Sequence, residues 1–273
     1  MLCIDNKTAV ANRFSRAAER YQQHCQVQDQ VAERLLALTT PINPRNLPLR
    51  LLDLGCGPGS QQHRLFDYFN FNSINHYIGI DIAAAMLDVA QQSMQRIAPL
   101  CPQEFICADA EHLPLAAGQV DLIYSNMALQ WCKNPHAVLR ECARILSPNG
   151  YALVSVVLPQ SLQPLRQLLG REQNRHADFA TWQAAISDSG LKPLDCRLEQ
   201  VTSYYPDVSA VVKSISGVGA DAHAQPVTNN AHAQVPRLTR SMLVKLRQGY
   251  ERHRTSKGLP LNYHIGFFVL AAE

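Results

Sequence analysis

The chain has 273 residues, of which 47% are hydrophobic and 17% are charged, and it carries a formal net charge of +3. This composition excludes global disorder, and the small charge gives no argument for a nucleic-acid partner. We expect one large domain, or one domain with an appended lobe, and no membrane-spanning helix, because no run of 18 apolar residues occurs. The first 25 residues lack a long apolar core, so we also expect no cleaved secretory signal.

The eight cysteines contain no Cys-x-x-Cys pair and no zinc-type spacing. Most of them lie inside apolar runs, which favours buried thiols in a reducing cytoplasm over a disulfide framework. The ten histidines show no metal spacing either. We therefore expect a cytoplasmic protein that holds no metal.

Helical and strand patterns alternate over the first 157 residues. Apolar residues at three-to-four spacing predict a helix over residues 8–38, which prolines at positions 41, 44 and 48 end. Short apolar segments predict strands at 49–54, 77–81, 104–108, 120–125 and 151–158, and the stretches between them predict helices at 60–69, 83–97 and 135–146. This alternation predicts a doubly wound parallel sheet with helices on both faces.

The pattern changes after residue 158. Residues 159–177 are polar and partly helical, and they are followed by a helix at 178–189, a strand at 193–204, a loop at 217–236, a helix at 241–252 and a strand at 264–272. We expect this part to form a partial helical lid and two closing strands. Residues 237–257 hold seven basic residues against one acidic residue, a local balance of +6 that suits either an acidic partner or an ordinary solvated face.

A glycine-rich turn follows the first predicted strand. Gly55, Gly57 and Gly59 allow a tight turn and let a ligand approach the backbone closely. A nicotinamide dinucleotide is the obvious alternative ligand, but its motif has the spacing Gly-x-Gly-x-x-Gly. Asp53, two residues before the first glycine, would repel a pyrophosphate and suits a ligand that carries an ammonium group.

Two further aspartates end the next two predicted strands. Asp81 is placed where a carboxylate hydrogen-bonds both hydroxyls of a ribose, and Asp109 is placed to meet an adenine amino group. Each aspartate alone is also typical of a helix N-cap or a turn. Because the carboxyl ends of neighbouring parallel strands line one crevice, the three aspartates and the glycine turn together favour a cofactor site over coincidence.

These motifs carry a family resemblance. The segments LDLGCGPG, GID, CADAEHLPL and SNMALQW resemble the class I S-adenosylmethionine-dependent methyltransferases over residues 49–157. The resemblance implies an α/β fold with a Rossmann-like, doubly wound, seven-stranded sheet whose last strand is antiparallel. It also implies S-adenosyl-L-methionine as the cofactor, and this chemistry needs no metal.

The resemblance also implies roles for individual residues. Asp53 and the glycine turn would face the methionine part of the cofactor, and Asp81 would hold the ribose. The N-terminal helix of this family folds over the cofactor, which places Tyr21 in contact with it as a candidate catalytic residue. The remaining implied contacts lie around the adenine, at Ile82, Met86, Asp109 and Ala110, and at the methyl end, at Asn126, Leu129, Gln130 and Trp131.

The residues after the fourth predicted strand bear on the methyl acceptor. Methylases of amine nitrogens typically have Asn/Asp-Pro-Pro-Tyr at this place, whereas this chain has Ser125-Asn126-Met127-Ala128, so amine acceptors lose support. Carbon and phenol acceptors usually need a general base. A carboxylate is already ionised at neutral pH and needs only orientation and a cationic partner.

The flanking segments resemble one subfamily. VANRFSRAAERYQQHCQVQ, YSNMALQWCKNP, the GVGA of SISGVGADAH, RLTRSM and LPLNYHIGFFVLA are similar to the malonyl-[acyl-carrier-protein] O-methyltransferases of biotin synthesis. This resemblance implies methyl transfer to the free carboxylate of a malonyl thioester, on acyl carrier protein or coenzyme A. The ester then enters fatty-acid elongation and yields a pimeloyl ester. Residues 1–48 would cover the cofactor, 49–157 would bind it, and 158–273 would supply the lid, the acceptor segment and the closing strands of the same domain.

A malonyl carboxylate in a closed site needs an arginine, since burying it unpaired would be costly. The segment after the fifth predicted strand leaves the sheet over the methyl group and offers Arg166, Arg171 and Arg175. We choose Arg175, just before the entry to the next helix, as the residue that recognises the carboxylate.

Two competing hypotheses stay open at this point. One is a methyltransferase that acts on a small-molecule carbon or another carboxylate, as in quinone synthesis. The other is a non-catalytic scaffold subunit, although such proteins usually lose the glycine turn or the strand-end acids that this chain retains. Nothing in the sequence indicates an oligomeric state.

Overall fold

A seven-stranded sheet forms the centre of the computed structural model, which describes residues 6–39, 49–169, 176–220 and 240–272. The strands are β1 Leu49–Leu54, β2 Ile74–Asp81, β3 Gln103–Cys107, β4 Val120–Asn126, β5 Leu146–Val157, β6 Lys192–Tyr205 and β7 Leu259–Ala271. Their order is β3-β2-β1-β4-β5-β7-β6, and β7 runs antiparallel to both neighbours. The predicted Rossmann-like sheet with an antiparallel last strand is confirmed.

Helices cover both faces of this sheet. They are α1 Asn6–Ala17, α2 Gln26–Ala37, α3 Gln62–Phe69, α4 Ala84–Ile97, α5 Pro135–Ile145, α6 Leu165–Leu168, α7 Phe179–Ser187, α8 Val208–Gly217 and α9 Arg240–Glu251. One apolar core layer joins α2, α3, α8 and α9 to one face, and a second joins α5 and α7 to the other. The doubly wound arrangement is therefore present as predicted.

Neighbouring residues of a central strand point to opposite faces. Leu51 belongs to the first core layer and Leu52 to the second, and both are fully buried. Parallel strands between two helical layers need apolar side chains on both faces, which is why these strands are continuous apolar runs in the sequence. Only their ends are free to carry polar residues, and the carboxyl ends hold the glycine turn and the predicted aspartates.

The predicted continuous helix over residues 8–38 is wrong, because the chain bends between α1 and α2. A 3-10 turn at Tyr21–Gln23 separates the two helices. Ala17 and Ala18 pack on Ala83 and Met86 at the start of α4, while α2 packs against the sheet. A straight helix cannot reach both surfaces, and the polar residues 22–26 interrupt the apolar periodicity where the bend occurs.

Helix α8 has no counterpart among the predicted elements. Asp207 caps it by accepting a hydrogen bond from Ala210 N at 2.8 Å, and Val208 and Val211 are buried on its inner face. An aspartate N-cap before apolar residues at helical spacing is the signal that identifies this helix. Most of the predicted loop at 217–236 lies outside the described residues.

Two strand boundaries also differ from the prediction. β2 begins at Ile74 instead of Tyr77, and β7 begins at Leu259 instead of His264. The predicted turn at 148–150 lies inside β5, where the pairing with β4 shifts register. Along the described chain no helix is both long and apolar enough to cross a membrane. Within the same ranges no group of three or more His, Cys, Asp or Glu residues could hold a metal ion.

Candidate active site

A cavity opens at the carboxyl ends of the first four strands, and residues of α1 line one side of it. The space between its lining residues is about 770 Å³, which includes open solvent at its mouth. The glycine turn, two strand-end aspartates and the segment after β4 meet in its wall. The predicted cofactor residues found there are Gly55, Gly57, Asp81, Ile82, Met86, Asp109, Ala110, Asn126, Leu129 and Trp131.

The glycine turn faces the cavity with its backbone. Gly55, Gly57 and Gly59 all have positive φ, at 77°, 53° and 78°, which other residues adopt only under strain. A Cβ added at Gly57 would meet no atom within 4 Å, so a ligand can approach the backbone there. Gly59 instead faces the side chain of Gln62 and does not line the cavity.

Asp81 holds the glycine turn and lines the cavity. Its Oδ2 accepts a hydrogen bond from Gly57 N at 3.0 Å, and its Oδ1 accepts one from Ala83 N at 2.8 Å. Burial raises the pKa of Asp81, and these N–H groups oppose the rise. Because a carboxylate has about four acceptor sites, two remain for ligand hydroxyls.

Asp53 lies beneath the turn and not in the cavity wall. It is 2% exposed, and it accepts a hydrogen bond from the Tyr77 hydroxyl at 2.9 Å. Burial, with a smaller contribution from the negative charge of Asp81, raises the pKa of Asp53 to about 7. A positive charge brought near this carboxyl would favour its ionised form.

Lys7 of α1 connects the N-terminal helix to the predicted adenine end of the cavity. Its Nζ lies 2.5 Å from Asp109 Oδ2 and 2.9 Å from Glu111 Oε2. Asp109 Oδ1 also accepts a hydrogen bond from Glu111 N at 3.1 Å, which shapes the turn after β3. Sequence reasoning missed Lys7, since no spacing signal links residues that stand 102 positions apart.

Asn126 ends β4 and joins three elements. Its Nδ2 donates to the backbone oxygen of Gln28 at 3.0 Å, and its Oδ1 accepts from Ser155 Oγ at 2.7 Å. The chain then passes through a 3-10 turn at Leu129–Trp131, whose two end residues line the cavity. Asn126 therefore fixes the end of the cavity that is predicted to hold the methyl group.

A second chamber of about 500 Å³ adjoins this end. Four residues, which we call the junction, line both spaces: Phe14, Tyr21, Met127 and Trp131. The chamber's other lining residues come from distant parts of the chain, and they are Gln28, Gln130, Val157, Leu162, His176, Val218, Ala220 and Tyr263. Of these, only Gln130 was predicted as a site residue, although Gln28, Val218, Ala220 and Tyr263 lie in the segments that carry the subfamily resemblance.

Tyr21 and His176 contribute a hydroxyl group and a ring nitrogen to this region. Burial raises the pKa of Tyr21, with further contributions from nearby acidic groups, so its phenol keeps its proton at neutral pH. The Nδ1 of His176 lies 2.9 Å from the backbone oxygen of Gln130, and its ring stands edge-on to Trp131 with centroids 5.5 Å apart. The sequence assigned no histidine a role, yet the structure brings His176 into the chamber wall.

The predicted acceptor arginine, Arg175, lies outside the described residues, as does Arg171. Arg166, the other candidate of that segment, does not line either space, and neither does Arg16 of α1, a further arginine that could be considered for this role. His176, the next residue after Arg175, does line the second chamber.

Comparison with known proteins identifies the family. Residues 52–154 match the family model described as a methyltransferase domain. The chain is 31% identical to a malonyl-[acyl-carrier protein] O-methyltransferase of Hahella chejuensis, over 97% of this chain and 90% of that protein. It is 33% identical to a protein of the same name from Erwinia billingiae, over 98% of both chains. The solved YcgJ protein from Bacillus subtilis shares the fold, with a TM-score of 0.58 at 19% identity, over 88% of this chain and 99% of that one.

The cavity fits the cofactor of such enzymes. The glycine turn lets a ligand approach the protein backbone closely, and Asp81 has acceptor sites left for a ribose. Asp53 suits a nearby ammonium group. The chain is an S-adenosylmethionine-dependent O-methyltransferase and belongs to the family of malonyl-[acyl-carrier protein] O-methyltransferases.

Proposed function

We propose that this enzyme transfers the methyl group of S-adenosylmethionine to the free carboxylate of a malonyl thioester on acyl carrier protein. The product is the methyl ester that primes pimeloyl synthesis, a cytoplasmic step on the route to biotin. The observation that supports this most is the extent of the match, since the Erwinia relative aligns over 98% of both chains. The similarity therefore includes the acceptor segment after residue 158 and not the cofactor-binding core alone.

In this proposal the cofactor lies across the first cavity. Asp81 accepts the ribose hydroxyls, while Asp109 and Ala110 hold the edge of the adenine between Ile82 and Met86. The methionine part passes the glycine turn, with its ammonium near Asp53. The sulfonium then reaches the junction, the wall that both spaces share.

The acceptor enters from the second chamber. Methyl transfer from a sulfonium is an in-line displacement, so the enzyme mainly has to align the two reactants. A carboxylate needs no base, which agrees with a Tyr21 phenol that stays protonated and acts as a hydrogen-bond donor. We assign the attraction of the carboxylate to Arg175, which precedes His176 in the chain.

The proposal gives each of three segments of the chain its own role. Residues 1–48 cover the cofactor, which is supported by the α1 residues in the wall of the first cavity. Residues 49–157 bind the cofactor. Residues 158–273 supply much of the acceptor wall, and His176, Val218 and Tyr263 of this segment line the second chamber.

Acyl carrier proteins are acidic, and we assign their docking to the stretch 237–257, here called the basic surface. Arg247, Arg252 and Lys257 are exposed in its described part. Arg254 is partly neutralised by Glu251, with Nε–Oε2 at 2.6 Å.

Intact-mass measurement of the carrier protein tests the proposal. The purified enzyme is incubated with S-adenosylmethionine and malonyl-acyl carrier protein, and we expect one added methyl group. Acetyl-acyl carrier protein, which lacks a free carboxylate, is the matched control and should gain none. Malonyl-coenzyme A in a parallel reaction shows whether the carrier is required. Methylation of neither malonyl thioester would contradict the proposal and favour a small-molecule carbon or another carboxylate as the acceptor.

A further inference from the structure

Gln28 is a buried polar residue in the wall of the second chamber. Only 8% of the residue is exposed, and its Oε1 is fully buried with no hydrogen-bond partner in the described structure. Buried carboxamides in folded proteins are nearly always hydrogen-bonded. Because one end of this carboxamide is left without a partner in a cavity wall, we take it as a place where a ligand or water supplies one.

The backbone of Gln28 is held firmly against the end of β4. Its backbone oxygen accepts the hydrogen bond from Asn126 Nδ2, and Val27 and Val31 on the same helix are buried in the core. Helix α2 thus presents the Gln28 side chain from a fixed position. That position is beside the end of β4, and the residue that follows this strand, Met127, belongs to the junction with the cofactor cavity.

Gln28 is also the carboxamide that the chamber leaves available. Gln130, the other carboxamide of the wall, donates from Nε2 to Met127 O at 2.6 Å and accepts at Oε1 from Val157 N at 3.4 Å. Among the described residues that line the chamber there is no Lys, Arg, Asp or Glu. A ligand inside this part of the chamber therefore meets none of these four charged side-chain types among the described lining residues.

A neutral donor suits the chemistry of the proposed reaction. A carboxylate oxygen forms a bond to the methyl carbon, and the carbon–sulfur bond breaks with its electron pair moving to sulfur. The products are a neutral ester and a neutral thioether, so two opposite charges disappear together. Beside the proposed Arg175, a carboxamide orients the carboxylate without adding a second buried charge that would be unpaired once the ester has formed.

We propose that Gln28 is a substrate-binding residue that orients the acceptor by donating a hydrogen bond from Nε2 to the carboxylate oxygen that does not attack. A half-turn about the last side-chain bond exchanges Oε1 and Nε2, which places the donor at the position that is left without a partner. This inference rests on the proposed carboxylate acceptor and names a residue that selects it.

Steady-state kinetics with malonyl-acyl carrier protein test the assignment in two variants. Gln28→Met keeps the size of the side chain and removes the donor, and we expect kcat/KM to fall roughly 10- to 100-fold, as for a lost hydrogen bond to a charged group. The kcat/KM of Gln28→Glu should fall further than that of Gln28→Met, because the glutamate charge repels the acceptor carboxylate. Its activity should recover as the pH is lowered and the glutamate is protonated. Gln26→Met, at an exposed position on the same helix, is the matched control and should behave as the wild type.

Two further readouts separate substrate binding from a structural role. The affinity of Gln28→Met for S-adenosylmethionine should stay within about twofold of the wild type, because Gln28 does not line the cofactor cavity. Its thermal midpoint should be equal or higher, since a buried group without a partner has been removed. If the wild type methylates malonyl-acyl carrier protein and Gln28→Met retains its kcat/KM within twofold, the Gln28 assignment alone is overturned. If the wild type methylates no malonyl thioester, the proposed function itself fails, and this inference fails with it.

Discussion

The cofactor cavity and the acceptor chamber lie side by side but are built in different ways. The cofactor cavity takes most of its wall from turns that directly follow β1, β2, β3 and β4, and each turn carries its own residue signal. The acceptor chamber is assembled from single side chains on α1, α2, the ends of β4 and β5 and the segments around residues 162, 176, 219 and 263. The comparison teaches that the donor site is encoded locally, whereas the acceptor site is encoded by long-range packing. Variants on the two sides should therefore have separable effects.

The largest effect is expected on the acceptor side, at Arg175. Removing one partner of a closely held charge pair typically costs about 2–5 kcal/mol, so Arg175→Ala should lower kcat/KM for malonyl-acyl carrier protein at least about 30-fold. Arg175→Lys should also be poor, because a point charge does not reproduce the two-pronged contact of a guanidinium. Calorimetry should show unchanged affinity for S-adenosylmethionine.

Arg140→Ala, at an exposed position on α5, serves as the control for the Arg175 variants. Near wild-type turnover in Arg175→Ala would remove this residue from the acceptor site. The search would then move to Arg166, Arg171 and Arg16.

On the cofactor side, Asp81→Ala should lower the affinity for S-adenosylmethionine at least tenfold. Each hydrogen bond from a ribose hydroxyl to this carboxylate is worth about 1.5–3 kcal/mol. Asp81→Asn keeps an acceptor for the glycine turn, so its affinity for S-adenosylmethionine should lie between those of Asp81→Ala and the wild type. Asp88→Ala, exposed on α4, is the control. Unchanged affinity of a folded Asp81→Ala variant, measured by calorimetry, would mean that the ribose binds elsewhere.

Asp53 gives a prediction about pH. Its pKa is raised from 3.8 to about 7 in the folded protein, so the fold binds this proton more tightly than the unfolded chain does. The stability that this group contributes is present at low pH and is lost as the pH rises from about 4 to about 7. We measure the free energy of unfolding of the ligand-free wild type and of Asp53→Asn by denaturant titration. Between about pH 5 and about pH 8, the stability of Asp53→Asn relative to the wild type should rise by at least about 1.4 kcal/mol. A constant difference across this range would show that Asp53 is ionised in the fold.

The smallest effect is expected at the basic surface. The double change Arg240→Glu and Arg247→Glu should raise KM for malonyl-acyl carrier protein severalfold. The effect should weaken with added salt, because exposed charges are screened beyond about 8–10 Å. Malonyl-coenzyme A should be methylated at nearly the wild-type rate. Arg96→Glu, exposed on α4, controls for the change in net charge, and equal losses on both substrates would assign the basic surface a structural role.

Most residues in the wall of the cofactor cavity could be predicted from the sequence, and the reason is physical. A buried parallel strand is a continuous apolar run, and the polar residues that end it are easy to see, so Gly57, Asp81 and Asp109 could be placed in one crevice. Asp53 was placed there as well, yet it lies under the turn, because side chains alternate along a strand and Asp53 points to the same face as Leu51, where Tyr77 donates a hydrogen bond to it. A short periodic pattern also failed to reveal the bend between α1 and α2, which depends on where each helix packs.

The acceptor side could not be predicted, because its residues are distant in the chain and form a site only when the fold brings them together. Gln28 looks like one of several glutamines on a polar helix until Asn126 fixes its backbone and leaves its side chain in the chamber. On the cofactor side, Lys7 was missed for the same reason, since it is one of six lysines in the chain and only the packing of α1 brings it to Asp109. Contacts between residues a hundred positions apart leave no spacing in the sequence to detect.

The central claim is that the cofactor cavity and the acceptor chamber meet at the reacting methyl group. A crystal structure of the enzyme with S-adenosylhomocysteine and a malonyl thioester tests it most directly. The account predicts ribose hydroxyls within hydrogen-bond distance of Asp81, the sulfur at the junction beside Tyr21 and Trp131, and the malonyl carboxylate in the chamber next to Gln28. A sulfur that points away from the second chamber, or a malonyl group bound outside it, would contradict the account.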